Sequence, residues 1–231
     1  MSFILDGFTN ALDLLVAGDP ETYAAIRATL TVSTMSMAST LCLGIPLGFL
    51  LGYTRFPGRR AAKTAVDTLL SLPTVVIGLL VYALVTRRGP LGDLELLFTL
   101  PGVALGQVVL GLPIVVAFTA TAVESMDPRL RPTLLTLGAN PRQILMTTLW
   151  EARYSCLVAA VTAYGRIVSE IGISMMIGGN IKWHTRTITT AIALETRKGQ
   201  FSMSIALGLV LMAIALLVNL AVVGLRRKAV R

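Results

Sequence analysis

Two ionisable residues, Arg166 and Glu170, lie four positions apart inside a long apolar stretch of the sequence. On one α-helix this spacing puts both side chains on the same face, with Ser169 on roughly that side. Charged groups at such depth are costly and usually face a bundle interior or a water-filled path. The pair therefore predicts either a structural ion pair between neighbouring helices or part of a route for a charged solute, and the residues alone leave both open.

A second polar group follows at residues 178–201. Lys182, His184 and Arg186 stand close together among four threonines, Thr185, Thr187, Thr189 and Thr190. Cations and hydroxyl donors in this arrangement could form a vestibule that attracts an anion, and a solvated surface loop is the alternative. His184 has no second His or Cys nearby, so the sequence predicts no metal site.

No enzyme signature is present. The sequence lacks HExxH, GxSxG and the phosphate-binding GxxxxGK[ST] pattern. We therefore predict no catalytic residue and no cofactor on this chain. An ATP-driven role would need its nucleotide site on another chain.

Composition indicates an integral membrane protein. Of 231 residues, 55% are hydrophobic and only 14% are charged, yet the formal net charge is +8. Nucleic-acid binders spread their basic residues over a polar face, so this apolar chain is not expected to bind nucleic acid. Its two cysteines, Cys42 and Cys156, exclude a disulfide-rich secreted scaffold.

The charge-poor stretches predict an all-α fold with five transmembrane helices, each needing about 20 apolar residues. The expected spans are residues 24–53, 66–86, 102–123, 152–178 and 201–225. Pro73 lies inside the second span, where it favours a kink. Residues 1–22 are too short an apolar run to cross and predict an amphipathic helix in the membrane interface, which precedes a transmembrane domain over 23–231.

Basic residues set the expected orientation, because they favour the cytoplasmic side. Twelve of them fall after the first span, between the third and fourth spans, and in the tail: Arg55, Arg59, Arg60, Lys63, Arg129, Arg131, Arg142, Arg153, Arg226, Arg227, Lys228 and Arg231. Most acidic residues fall on the other side. Five spans with the N-terminus outside and the C-terminus inside satisfy this pattern.

The cytoplasmic segment 126–150 combines helix-stop and helix-start residues. Gly138 is typical of a left-handed cap that ends a helix, and Asn140-Pro141 is typical of a cap followed by the first helical position. The order predicts a short helix over 133–137, a turn at Gly138 and a second short helix. Such a knob could dock into a cytoplasmic partner, and an ordinary interfacial loop is the alternative.

Several stretches together resemble a known family. Segment 126–150 resembles the coupling loop of bacterial ABC-importer permeases, with Gly138 in place but Pro132, Thr133 and Leu134 where the family has Glu-Ala-Ala. The closing Leu-Pro of that pattern is also absent. The stretch 165–201 is similar to the region of tungstate-type permeases that runs GR-x-x-SE-x-G, GGNI and TR-x-x-TTAIALET-x-KG. LPTVVIG, at 72–78, is similar to the second core helix of molybdate, sulfate and tungstate permeases.

The resemblance covers nearly the whole chain from about Ala24 and implies the type I ABC importer permease architecture. It implies a multi-pass permease subunit in the cytoplasmic membrane of a prokaryote. This subunit is expected to form the translocation path of an oxyanion, with tungstate as the expected substrate. A molybdate or sulfate permease is the alternative, followed by an ATP-independent channel or carrier. The implied partners are a second copy of the chain, two cytoplasmic ATPase subunits that hold ATP and Mg²⁺, an extracytoplasmic oxyanion-binding protein and membrane lipid.

The resemblance also carries over onto individual residues. Coupling to the ATPase is expected at Thr133, Leu134, Gly138, Ala139, Asn140, Pro141 and Arg142. The translocation path is expected to include Arg166, Ser169, Glu170, Gly178, Gly179, Asn180, Thr185, Arg186 and Thr189.

Overall fold

A computed structural model describes residues 9, 12, 13 and 16–229 of the chain, and these form helices without any strand. The amphipathic helix predicted for residues 1–22 lies largely outside the described residues. The helices are α1 (Pro20–Tyr53), α2 (Arg59–Leu70), α3 (Thr74–Val85), α4 (Leu100–Glu124), α5 (Leu130–Thr136), α6 (Pro141–Val168), α7 (Gly172–Gly178), α8 (Ile188–Arg197) and α9 (Phe201–Ala229), with a 3₁₀ turn at Gly92–Leu94.

Four of the described helices, α1, α4, α6 and α9, are long and apolar enough to cross a bilayer. The bent pair of α2 and α3 makes a fifth crossing if it is counted as one span. The helices α1, α4 and α9 contain the predicted ranges 24–53, 102–123 and 201–225. The all-α membrane class predicted from the sequence is confirmed.

The prediction of one helix over 66–86 with a kink at Pro73 is wrong, because the chain bends by 103° between two separate helices, α2 and α3. Pro73 at this bend has no N–H to donate and disfavours helical geometry in the residue before it. α3 has 12 residues and so spans roughly 18 Å, which is too short for a bilayer core of about 30 Å. α2 carries polar residues along one face, has no buried residue and, because of the 103° bend, lies nearly perpendicular to α3.

The prediction of one helix over 152–178 is also wrong. α6 begins at Pro141 and ends at Val168, and the separate helix α7 starts at Gly172. The second short helix expected after Gly138 is therefore the first part of a 28-residue helix. As a consequence, the turn at Gly138 is joined without a break to a helix long and apolar enough to cross a bilayer.

α1 packs against α4 through a row of glycines four residues apart, at Gly44, Gly48 and Gly52. A Cβ atom on Gly48 would lie 2.6 Å from the carbonyl oxygen of Val116, and one on Gly52 would lie 2.6 Å from that of Ala120. The two backbones are therefore nearly in contact. Small residues are the usual means by which helices approach this closely in a bilayer.

The short helix α7 is inserted between α3 and α4. Ile173 and Ile177 are fully buried and belong to one apolar cluster with Val81 and Val103. A Cβ atom on Gly106 of α4 would lie 2.5 Å from Cγ2 of Ile173. α4 thus has room for α7 only because a glycine stands at this position.

A buried polar bridge joins three helices. The Ser36 hydroxyl of α1 donates to Oε1 of Gln107 in α4 at 2.8 Å, and Nε2 of Gln107 donates to the Ser174 hydroxyl of α7 at 3.5 Å. All three side chains are buried. Since water cannot replace these bonds, the bridge fixes how the helices are rotated against each other.

We predict that Gly48→Val weakens the fold, because the added carbons meet the backbone of Val116, which cannot move aside. Overpacking of this kind costs roughly 1–3 kcal/mol. The measurement is the thermal unfolding of the purified chain in detergent. Gly208→Val in α9 is the matched control, since a Cβ atom there meets nothing within 4 Å. Equal unfolding temperatures for the two variants would contradict the close packing of α1 on α4.

Candidate functional site

The exposed surface of α6 is polar along its membrane-spanning part. From Glu151 to Val168 the exposed residues of the helix are Glu151, Ser155, Thr162, Gly165 and Arg166, and the C-cap residue Ser169 is exposed as well. Spacings of three, four and seven place these six residues along one side of the helix. We refer to them as the α6 polar stripe.

The other spans present a different surface. The exposed residues of α3 include Val75, Leu79 and Leu80, and the exposed positions of α9 include Leu216 and Leu217. These apolar faces are suited to contact with lipid. The hydroxyls of Thr162 and Ser169 donate to carbonyls of α6, but the charged groups of Glu151 and Arg166 would have no partner in hydrocarbon. The α6 polar stripe must therefore face water or another protein chain.

Arg166 is the one cation of the α6 polar stripe. Its side chain is exposed, and within the described part of the chain it makes no ion pair or hydrogen bond. A Cβ atom on the adjacent Gly165 would meet nothing within 4 Å. The guanidinium group is therefore free to meet a solute or a second chain.

The prediction that Arg166 and Glu170 share a face of one helix is wrong, because α6 ends at Val168. Glu170 is only 3% exposed. Its Oε1 atom accepts a hydrogen bond from the N–H of Ile173 at 3.3 Å, and within the described residues no cation pairs with it. The two charges thus point into different surroundings, one open and one buried.

Hydroxyl groups stabilise the break between α6 and α7. The carbonyl of Glu170 accepts a hydrogen bond from Thr189 at 3.1 Å and another from Ser174 at 3.3 Å. The hydroxyl of Thr189 therefore bonds to the backbone, and its side chain is buried. Its role is to satisfy a carbonyl that the interrupted helix leaves without a helical partner.

The turn at 178–185 is held in the same way. The buried hydroxyl of Thr185 donates to the carbonyl of Gly178 and accepts from the N–H of Ile181. Gly179 has a φ of +68°, which suits glycine. Asn180 also has a positive φ, of 52°, and its Oδ1 atom is buried without a partner among the described residues. These residues shape the backbone after α7 and do not form a row of free hydroxyl donors.

Lys182 and Arg186 already share a counter-ion. Nζ of Lys182 lies 2.7 Å from Oε2 of Glu21, and Nη1 of Arg186 donates to Oε1 of the same carboxylate. The sequence left open a cationic vestibule or a solvated loop, and the single carboxylate of Glu21 offsets part of the positive charge of Lys182 and Arg186. Sequence reasoning missed Glu21, which lies 165 positions before Arg186. The only sign of this ion pair in the sequence is that Glu21 is an acidic residue near the start of the first long apolar stretch.

Residues 130–142, which comprise α5, the turn at Gly138 and the start of α6, form an exposed knob. α5 has no buried residue, Gly138 has a φ of +75°, and a Cβ atom there would meet nothing within 4 Å. Oδ1 of Asn140 accepts from the N–H of Gln143, whose Oε1 accepts from the N–H of Asn140. Pro141 takes the first helical position. The left-handed turn and the helix cap predicted here are therefore confirmed.

The remaining residues predicted for coupling lie on the same knob. Thr133 and Arg142 are exposed, and Leu134 and Ala139 are half-buried. Two further apolar side chains, Leu135 and Leu137, are 55% and 77% exposed. Sequence reasoning missed these two leucines. Exposed leucines on a capped, rigid turn are suited to docking against an apolar surface of a partner.

Sequence comparison identifies proteins that are related to this chain. Residues 44–231 match the family described as binding-protein-dependent transport system inner membrane component. The chain is 45% identical over 227 residues to the tungstate uptake system permease protein TupB of Campylobacter jejuni, covering 98% of this chain and 95% of that one. It is 35% identical over 228 residues to TupB of Peptoclostridium acidaminophilum, covering 99% and 100%. The molybdenum transport system permease protein ModB of Escherichia coli K12 is 30% identical over 186 residues, covering 77% and 81%.

Solved structures agree on the fold. A chain of a bacterial alginate ABC transporter superposes with a TM-score of 0.78 at 19% identity, covering 99% of this chain and 89% of that one. At this identity the likeness bears on the fold alone. Together with the family match, it identifies the chain as a member of the binding-protein-dependent transport system inner membrane component family, a multi-pass ABC transporter permease of the cell membrane.

Proposed function

We propose that this chain is the membrane subunit of an ATP-driven importer of a tetrahedral oxyanion, and that the oxyanion is tungstate. The observation that carries the proposal is the α6 polar stripe with its unpaired Arg166. A dianion that leaves water needs hydrogen-bond donors and positive charge inside the membrane. Ser155 and Arg166 supply both along one side of a span. The hydroxyls of Thr162 and Ser169 lie on the same side and donate to the carbonyls of Val158 and Gly165 in this structure, so they would have to rotate to donate to the oxyanion.

The path is proposed to run between two copies of the chain. A stripe that is polar over the length of a span would be costly against lipid, and a homodimer would bring two such stripes to face each other. Each copy adds hydroxyls and a single guanidinium to the path, and Glu151 adds a carboxylate at the end of each stripe nearest the knob, so the path is positive around Arg166 and not along its whole length. Weak binding suits transport, because an ion held tightly would not leave.

The other residues predicted for the path are proposed to build its wall. Glu170 and Thr189 hold the break at the end of α6, and residues 178–180 with Thr185 hold the turn after α7. Arg186 is proposed to fix this turn to α1 through Glu21. Direct contact with the oxyanion is proposed for Arg166 and Ser169.

Two ion-pair clusters support the proposed orientation. Glu124 at the end of α4 pairs with Arg59 and Lys63 after α1, at 2.5 Å each, so these ends lie on one side. Glu21, in the first turn of α1, pairs with Arg186, which lies between α7 and α8. This second cluster lies at the opposite end of α1. Five crossings satisfy both clusters. The excess of basic residues then puts the C-terminus inside and the N-terminus outside.

ATP and Mg²⁺ are proposed to act on separate cytoplasmic ATPase subunits. The knob of α5, Gly138 and Asn140 is the proposed contact, with Thr133, Leu134, Ala139, Pro141 and Arg142 around it. Because α6 continues without a break from this knob to Val168, movement at the ATPase would reach Arg166 through one rigid helix. An extracytoplasmic binding protein is proposed to deliver the oxyanion.

The choice of tungstate follows from the names of the relatives with 45% and 35% identity. Molybdate or sulfate is the alternative, since a ModB permease matches at 30%. An ATP-independent carrier is the alternative of another class. The test is uptake into proteoliposomes that contain the chain and its ATPase, with and without ATP and the binding protein, for each of the three oxyanions. Tungstate uptake without ATP would contradict the proposal.

We predict that Arg166→Gln lowers ATP-dependent tungstate uptake by at least about tenfold, equivalent to roughly 1.4 kcal/mol, because the path loses its one cation. Its unfolding temperature should stay unchanged, since the native side chain makes no bond in the described chain. Arg186→Gln is the matched control, and it should lower the unfolding temperature because the Glu21 carboxylate loses a partner. A lower unfolding temperature for Arg166→Gln with normal uptake would mean that Arg166 is structural.

We predict that Gly138→Val uncouples ATP hydrolysis from uptake. A β-branched residue is strained at a φ of +75°, so the turn between α5 and α6 should change shape while the membrane core stays intact. The measurement is the ratio of tungstate transported to ATP hydrolysed in proteoliposomes. Gly199→Val is a control for left-handed strain, because Gly199 has a φ of +77° outside the knob. An unchanged ratio for Gly138→Val would contradict the coupling role.

A further inference from the structure

A basic cavity lies at the end of the molecule that carries the knob. It has a volume of about 1100 Å³ and lies between the ends of α1 and α4, the start of α2, and α5. Five cations line it, Arg55, Arg59, Arg60, Lys63 and Arg131, together with two acidic residues, Glu124 and Asp127. Neither the family membership nor the proposed transport path gives this cavity a role.

Internal bonds use only part of this positive charge. Arg59 and Lys63 both pair with Glu124, and Arg59 also donates to the carbonyl oxygens of Leu51 and Gly52 at the end of α1. Asp127 accepts the backbone N–H of Arg129. These bonds fix one wall of the cavity and leave three guanidinium groups without a carboxylate.

The three remaining groups are Arg55, Arg60 and Arg131. All are exposed, and none forms an ion pair among the described residues. The guanidinium of Arg131 lies 5.5 Å from the ring centre of Tyr53, which orients it at the cavity wall. Guanidinium groups match the oxygens of a phosphate in pairs of hydrogen bonds. The cavity therefore has the chemistry of a phosphate-ester site.

The surroundings favour a phosphate that belongs to a lipid. Leu43, Leu47 and Leu50 are each about half exposed and follow one side of α1 at spacings of four and three, which continue to Tyr53 at the cavity. α2 is amphipathic and nearly perpendicular to α3, as expected for a helix at the membrane surface. An apolar helix face that leads from the span to a basic cavity fits an acyl chain joined to an anionic headgroup.

We propose that this cavity binds the phosphate headgroup of an anionic phospholipid such as phosphatidylglycerol. Arg55, Arg60 and Arg131 hold the headgroup, and the leucine face of α1 holds an acyl chain. Basic pockets between transmembrane helices bind such headgroups in the same manner. Because α5 forms one wall of the cavity, a bound lipid would steady the knob on which coupling is proposed to depend.

The test is native mass spectrometry of the purified permease, alone and assembled with its ATPase, during titration with phosphatidylglycerol or phosphatidylcholine. Phosphatidylglycerol should bind at least about tenfold more tightly, and Arg60→Gln and Arg131→Gln should each weaken it by about fivefold. Arg129→Gln is the matched control, because Arg129 lies between two lining residues and does not line the cavity. This variant should bind like the native chain.

Several results would overturn the proposal. Equal binding of the two lipids, or an equal loss in Arg129→Gln, would show that the cavity does not select an anionic headgroup. Displacement of phosphatidylglycerol by inorganic phosphate at equal concentration would assign the cavity to a free anion. Loss of phosphatidylglycerol binding on assembly with the ATPase would show that the cavity is a protein contact.

Discussion

A polar group in the hydrocarbon core of a bilayer must find its partner in the protein or in water that the protein admits. This constraint organises the whole permease. Where the backbone leaves helical geometry after Val168, the hydroxyls of Thr189 and Ser174 bind the carbonyl of Glu170. Where side chains are polar and stay exposed, as along the α6 polar stripe, the same constraint requires water or a second chain.

The two broken segments meet in the interior of the molecule. α7 lies against α3 and α4, with Ile173 close to both Gly78 and Gly106. The breaks therefore hold each other in place by close packing, while the continuous helix α6 runs past them from the knob to Arg166. This division between interrupted, closely packed helices and one continuous helix fits the proposal that the shape of the path responds to events at the knob.

The sequence predicted what depends on local chemistry and missed what depends on distant contacts. Asn140, Pro141 and Gly138 act on their immediate neighbours, so their cap and turn could be recognised from the sequence. Pro73 predicted a kink but not its size of 103° or the separation into two helices. No proline marks the break after Val168, and the pairing of Glu21 with Arg186 joins residues 165 positions apart. Periodicity cannot predict either feature.

The central claim is that the α6 polar stripe faces water inside the membrane. It is tested most directly by placing single cysteines at Thr162 and Ser169, after replacement of Cys42 and Cys156, and measuring their reaction with a membrane-impermeant thiol reagent in the assembled transporter. The account predicts that both sites react and that tungstate slows the reaction, while a cysteine at Leu216 on the apolar face of α9 stays unmodified. A reactive Leu216 site with inert sites at 162 and 169 would contradict it.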